Sequence, residues 1–195
     1  MIAPRCLHLA LAPLPAVFLL AALAILDHGL VYLLVATLAG QGFFLFFFRD
    51  PHRAMETDLV SPADGTVVEV GQRRLSIFMN LWNVHVNRVP LAGTIRSMQH
   101  LSGEHCPAFG DVSRNERLTT VIETDQGEVS IAQIAGVFAR RIVPYVEAGQ
   151  RVEKGQRLGI IRFGSRVEVR APPGIIWTVS RGDKVRAGQS IGLLG

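Results

Sequence analysis

The chain of 195 residues carries a formal net charge of +4, is 49% apolar and has a mean hydropathy of +0.30. That length allows one domain plus an anchor, and two cysteines, Cys6 and Cys106, exclude a disulfide framework and favour a reducing compartment. Eighteen of the twenty basic residues are arginine, whose guanidinium grips phosphate through paired hydrogen bonds; the excess suits an anionic membrane surface or a phosphate-bearing substrate, and a GC-rich genome produces the same bias.

The apolar excess is concentrated in residues 7–48. Residues 9–26 are apolar apart from Pro13 and Pro15. Asp27-His28-Gly29 is a polar break with a turn-forming glycine, and residues 30–48 are apolar again, interrupted by Thr37, Gln41 and two glycines. Each run approaches the roughly 20 residues that cross hydrocarbon. Residues 1–50 therefore read as a transmembrane helical hairpin, with a re-entrant hairpin as the alternative because of the two prolines. Arg5 precedes the hairpin, and Arg49 and Arg53 follow it. The positive-inside rule then places residues 51–195 on the cytoplasmic side of a cell (inner) membrane. The apolar stretch is too long for a cleaved signal peptide, and Arg49-Asp50-Pro51 is no small-residue cleavage site.

From Val60 onward short β-type runs alternate with Gly, Pro, Asn and Asp. Strands are predicted at 65–70, 75–79, 93–98, 118–124, 128–134, 157–163, 166–170 and 175–179, with a short helix within 137–145. One unit repeats at an offset of 33 residues. Val146-x-x-Gly149-x-x-Val152-x-x-Gly155-Gln156-x-Leu158 recurs as Val179-x-x-Gly182-x-x-Val185-x-x-Gly188-Gln189-x-Ile191. This unit resembles the turn-strand unit of biotinyl and lipoyl carrier domains, as does Ser61-Pro62-Ala63-Asp64-Gly65. The expected architecture is mainly β and barrel-sandwich-like. A carrier domain is the rival function, but its cofactor needs a lysine at a hairpin tip, and Lys154 and Lys184 lack the flanking signature.

Three local signals bear on chemistry. Phe163-Gly164-Ser165-Arg166 places a Gly-Ser bond at a strand junction, where most such bonds are simple turns. Asn83-Val84-His85-Val86-Asn87-Arg88 holds a histidine that alone reads as structural. Asp64 precedes Gly65, the usual setting of a turn former. His100, His105 and Cys106 match no standard zinc spacing, so no metal is expected; that segment reads instead as a loop in which Phe109 meets lipid. No glycine-rich phosphate loop and no nucleic-acid motif occurs, and the oligomeric state, a homo-oligomer included, is left open.

In order along the chain, Phe48-Arg49-Asp50-Pro51, Pro62-Ala63-Asp64-Gly65, the Asn83–Arg88 motif, Asn115-Glu116-Arg117, Ala139-Arg140-Arg141-Ile142-Val143 and Arg162-Phe163-Gly164-Ser165-Arg166-Val167 resemble the short form of the phosphatidylserine decarboxylase family. The resemblance implies a zymogen that cuts itself at Gly164-Ser165 into a large and a small chain. Glycine suits the cut, since its carbonyl is open to a neighbouring hydroxyl. Ser165 would then become a covalent pyruvoyl group, whose ketone takes up the electron pair left when carbon dioxide departs from phosphatidylserine. His85, oriented by Asp64, is expected as the base for Ser165. Arg88, Arg141 and Arg166 are the candidates for the substrate phosphate. Longer members carry a second histidine where this chain has Arg88, so His85 or a water is left to return the proton. Archaetidylserine is an alternative substrate.

Overall fold

The computed structural model describes residues 1–104, 106–108, 110–137, 141–162 and 165–194. The chain divides into two compact units, Met1–Pro51 and His52–Gly195.

The first unit contains α1 (Leu7–Ala10), α2 (Leu14–Ala24) and α3 (Val31–Phe47). The first apolar run is broken rather than continuous. Pro13 caps α2 and Pro15 lies in its first turn, where a missing N–H removes no helical bond. The stretches Leu7–Ala24 and His28–Phe47 are each long and apolar enough to cross a bilayer. The polar break between them is a tight turn, in which Asp27 accepts the Gly29 N–H at 2.8 Å. α2 and α3 contact each other, yet Phe18, Leu19, Tyr32, Leu33 and Val35 stay exposed. Gln41, the polar residue inside α3, donates to the Ala10 carbonyl at 2.7 Å. The Asp50 N–H donates to the Met1 carbonyl at 2.7 Å, so the unit's two ends meet.

The second unit is built of strands. They are β1 (Leu59–Val60), β2 (Gly65–Val70), β3 (Arg74–Met79), β4 (Val86–Arg88), β5 (Gly93–Leu101), β6 (Arg117–Thr124) and β7 (Gly127–Ala135), followed by β8 (Ile142–Pro144), β9 (Arg151–Val152), β10 (Arg157–Ile161), β11 (Ser165–Arg170), β12 (Ile176–Trp177), β13 (Lys184–Val185) and β14 (Ser190–Leu193). Eight form one sheet in the order β13-β2-β3-β11-β7-β6-β5-β9, and two three-stranded sheets run β4-β10-β8 and β1-β14-β12. Successive side chains on a strand face opposite ways. On the large sheet Leu75, Ile77 and Met79 of β3, Val167 and Val169 of β11, and Val129 and Ile131 of β7 all enter the core. The protein is mainly β with apolar N-terminal helices. The helix expected within 137–145 is not formed at its end, because Ile142–Pro144 pairs with β10 and the β-branched Ile142 and Val143 suit that edge.

The repeat is a structural one. Gly149 N–H donates to Ile95 O and Ile95 N–H to Gln150 O, while Gly182 N–H donates to Val67 O and Val67 N–H to Asp183 O. The second turn of each unit behaves alike, with Gly155 N–H on Val89 O and Gly188 N–H on Ser61 O. The strand entries they clasp repeat as well, at an offset of 28 residues, as Pro62-Ala63-Asp64-Gly65-Thr66-Val67 and Pro90-Leu91-Ala92-Gly93-Thr94-Ile95. Those entries bond reciprocally, Arg88 N–H to Pro62 O and Val60 N–H to Pro90 O. Both second-turn glycines close on one residue, for a Cβ on Gly155 or on Gly188 would fall within 2.7 Å of Met55.

Gly182 and Gly188 separate conformation from crowding. Both have positive φ, at 100° and 94°. A Cβ meets nothing at Gly182, but lies 2.4 Å from the Ala54 carbonyl oxygen at Gly188. Gly182→Ala should cost about 1 kcal/mol and Gly188→Ala about 3 kcal/mol. Thermal unfolding of the full chain in detergent should rank them so; equal losses would mean that the approach to residues 54–55 is not what Gly188 serves.

Candidate active site

Ser165 opens the central strand β11, opposite Met79 of β3 and Ala135 of β7. The alternation that buries Val167 and Val169 turns Ser165 inward too, and it is wholly buried. Its hydroxyl lies 3.5 Å from Met79 Sδ, a weak acceptor that leaves the oxygen lone pairs uncommitted. Gly164, the other half of the expected cleavage site, lies outside the described residues.

His85, just ahead of β4, is also wholly buried. Its Nδ1 is 3.0 Å from the Asn83 carbonyl. A carbonyl only accepts, so Nδ1 carries the hydrogen, which in the neutral ring leaves the lone pair on Nε2. The Ile161 N–H donates to the His85 carbonyl at 3.3 Å, and Ile161 stands four residues before Ser165. Two residues beyond His85, Asn87 Nδ2 reaches Met79 Sδ at 3.6 Å, the same sulfur that Ser165 touches. Asn87 Oδ1 accepts from Gln133 Nε2 at 2.8 Å. Gln133 lies opposite Val167, hence on the same sheet face as Ser165 and diagonal to it. Its Oε1 is buried with no hydrogen-bond partner among the described residues. Ser165 thus touches a thioether that is linked in turn to two carboxamides, Asn87 and Gln133. Met79, Asn87 and Gln133 were missed in the sequence, although the polar Gln133 breaks the inward series Val129, Ile131, Gln133, Ala135 of β7.

Asp64 does not orient His85. Arg53 Nη2 pairs with Asp64 Oδ2, and Oδ1 accepts the Ala187 N–H at 2.9 Å. A full guanidinium charge and a backbone donor at the strand entry occupy both Asp64 oxygens, and the His85 Nδ1 meets the Asn83 carbonyl instead. The three arginines are separated. Arg88 is buried and donates to the Gly155 carbonyl at 3.0 Å. Arg141 is exposed. Arg166 points to the sheet face opposite Ser165, where it meets Glu69 at 2.8 Å and Glu168 at 3.3 Å. His100 pairs with Glu116 at 2.9 Å, and Cys106 donates to Glu104 at 3.4 Å; His105 and Phe109 lie outside the described residues. No group of three or more metal-ligating side chains occurs among the described residues. Lys154 Nζ donates to the Glu56 carbonyl at 2.8 Å, and Lys184 lies within β13 rather than at a hairpin tip.

Glu69 titrates below its ordinary value of 4.5, chiefly through its hydrogen bond from Arg74, with the charges of Arg74 and Arg166 adding to it against partial desolvation. A carboxyl depressed in the folded state stabilises fully above its unfolded pKa and loses that contribution as pH falls through the folded value. Glu69→Gln should therefore lower stability at neutral pH and flatten its decline below about pH 4.5. Unfolding midpoints of both proteins between about pH 2 and 7, an interval that reaches about two units below the carboxylate range, should converge at the acid end; parallel curves would remove Glu69 from the acid response.

The phosphatidylserine decarboxylase family model matches residues 41–193. The chain is 48% identical over 153 residues to a putative archaetidylserine decarboxylase proenzyme of Methanosarcina acetivorans, covering 76% of this chain and 74% of that one. It is 48% identical over 163 residues to the phosphatidylserine decarboxylase proenzyme of Thermobifida fusca, covering 80% and 74%. The corresponding proenzyme of Streptomyces coelicolor is 49% identical over 151 residues, covering 74% and 69%.

Proposed function

The chain belongs to the phosphatidylserine decarboxylase family, and from that membership we propose that it is a proenzyme which cuts itself between Gly164 and Ser165 and then converts phosphatidylserine to phosphatidylethanolamine and carbon dioxide. The observation that carries the reading is the placement of Ser165, wholly buried on the inner sheet face with its hydroxyl on a soft acceptor. The buried His85 supplies the base.

In the cut, Ser165 Oγ attacks the Gly164 carbonyl carbon as His85 Nε2 takes the hydroxyl proton and returns it to the amide nitrogen. The peptide C–N bond is exchanged for an ester C–O bond. Loss of the Ser165 α-proton then breaks the Cβ–O bond and frees a large chain that ends in the Gly164 carboxylate. Water hydrolyses the remaining dehydroalanine, releasing ammonia, and leaves a pyruvoyl group at the head of the small chain, residues 165–195. The surroundings fit this group, since Met79, Ala135, Asn87 and Gln133 enclose position 165 without a charge or a competing lysine. When formed, its ketone supplies the sink for the electron pair left by carbon dioxide. In this reading His85 or a water returns a proton to the product, while Arg88 in the neighbouring motif position is held by the Gly155 carbonyl.

Asp64 acts on this site at one remove. It binds Arg53 and the Ala187 N–H at the entry to β2, and so positions the strand that pairs with β3, at whose end Met79 lies. Of the arginines, the exposed Arg141 is the strongest candidate for the substrate phosphate. The two apolar helices serve as a membrane-spanning hairpin with both ends on the cytoplasmic side, in keeping with their exposed apolar faces and the meeting of the unit's ends. The doubled turns support a barrel-sandwich kinship with carrier domains, in which neither lysine is free at a tip. Archaetidylserine is the second reading, because the relatives include enzymes named for it; turnover of ester- and ether-linked serine phospholipids separates the two.

Self-cleavage separates the roles. On a denaturing gel wild type should resolve into residues 1–164 and a blocked chain 165–195, and Ser165→Ala should remain one inactive chain. His85→Gln should slow processing on the order of a thousandfold, with unfolding unchanged. Asp64→Asn should process, but lose about 3 kcal/mol of stability because Arg53 is left without its partner. Complete and rapid cleavage in His85→Gln would remove His85 from the self-processing step.

A further inference from the structure

Between β3 and His85 the chain makes a turn that carries two apolar side chains outward. Leu81 is 37% exposed and Trp82 66% exposed. The turn is locked. Asn83 Oδ1 accepts the Asn80 N–H at 2.9 Å, Asn80 Oδ1 accepts the Trp82 N–H at 2.9 Å, and the Asn83 N–H donates to the Asn80 carbonyl at 3.1 Å. The outward indole is therefore built in rather than left by a loose loop.

This turn borders a cavity of about 800 Å³ whose lining includes Trp82, Asn83, Lys184 and Arg186. Lys184 and Arg186 are exposed and have no ion-pair partner among the described residues. The acidic groups of the cavity are already engaged, Asp64 by Arg53 and Glu56 by the Ser190 N–H at 2.8 Å. Its uncommitted charge is positive. An amphipathic indole beside free cations matches the chemistry of an anionic bilayer, where aromatic rings settle at the headgroup level and cations meet phosphates. His52 and Arg53, also on the cavity wall, follow the last residue of α3 by five and six positions in the chain.

We propose that the Leu81–Trp82 turn together with Lys184 and Arg186 is a docking lip, by which the β unit seats itself on an anionic phospholipid surface. The proposal rests on the lipid-substrate reading above and adds where the folded unit meets the membrane. Trp82 enters the headgroup region while the two cations hold the phosphates on the other side of the cavity.

The test uses the full chain in phosphatidylcholine vesicles with increasing phosphatidylglycerol, made with and without brominated acyl chains. Subtracting the emission of Trp82→Phe from wild type removes Trp177 and isolates Trp82. Bromine should quench that difference at least about twofold in anionic vesicles. The quenching should vanish in neutral vesicles and in the Lys184→Glu, Arg186→Glu double variant, with both variants unfolding at the wild-type temperature. Equal emission with and without bromine at every phosphatidylglycerol fraction overturns the proposal, and so does quenching that the double variant retains. No decarboxylation is needed for this readout. Quenching in a protein that cannot turn over detergent-dispersed phosphatidylserine would count against the enzymatic reading alone, and turnover without quenching would count against the lip alone.

Discussion

The register of β11 between β3 and β7 governs what the interior can do. Ser165 stands opposite both Met79 and Ala135, and a slip of one residue would turn Ser165 outward and bring Arg166 into the apolar core. Such a slip is opposed from both faces. Val167 and Val169 are wholly buried on the inner side, and Arg166 is paired with Glu69 and Glu168 on the outer. Charge and apolar surface are sorted by the period of two, and the hydroxyl is carried inward with the valines.

The clasped strand entries hold that sheet on its neighbours, and their doubling makes one departure visible. Asp64 corresponds to Ala92, and Ala187 to Lys154, across the two halves. Only the first half has a carboxylate to accept the Ala187 N–H and to neutralise Arg53. The second half has no such carboxylate, and there the Lys154 side chain donates outward to the Glu56 carbonyl. A position that can be alanine in one copy does not require a charge for the turn itself. Asp64 is therefore an added feature on the side of the unit that contains His52, Arg53 and the Asn80–Asn83 turn.

Much of this was legible beforehand. Alternation located β2, β3, β5, β6, β7 and β11 to within a few residues, because each is long and buried on one face. The 33-residue repeat was legible because its turns need glycine at positive φ, at Gly149, Gly155, Gly182 and Gly188. The short β4, β8 and β13 were not, since pairings of two or three residues leave no period to read. Ser165 and His85 were named from their motifs, but their surroundings were not. The partner of a carboxylate is decided by competition in three dimensions, and Asp64 found Arg53, eleven residues away, rather than His85. Arg166 was expected at a phosphate because its type suits one; that expectation overlooked Glu69, distant in sequence and adjacent on the outer face.

An interior with a thioether and two carboxamides suits the proposed chemistry in a way that one lined with ion pairs would not. Loss of carbon dioxide turns a carboxylate into a neutral gas, so surroundings that neither pair with nor hydrate the carboxylate favour departure over retention. The same enclosure creates an obstacle, because a wholly buried Ser165 cannot meet a lipid headgroup in the uncut chain. In the function proposed above, one event answers both demands. Cutting at position 165 makes the electron sink and also frees the chain just ahead of β11 from its covalent hold. The strand itself remains, since its six ladder positions on β3 and six on β7 do not pass through the severed bond. The place where the chemistry occurs stays fixed through the cut.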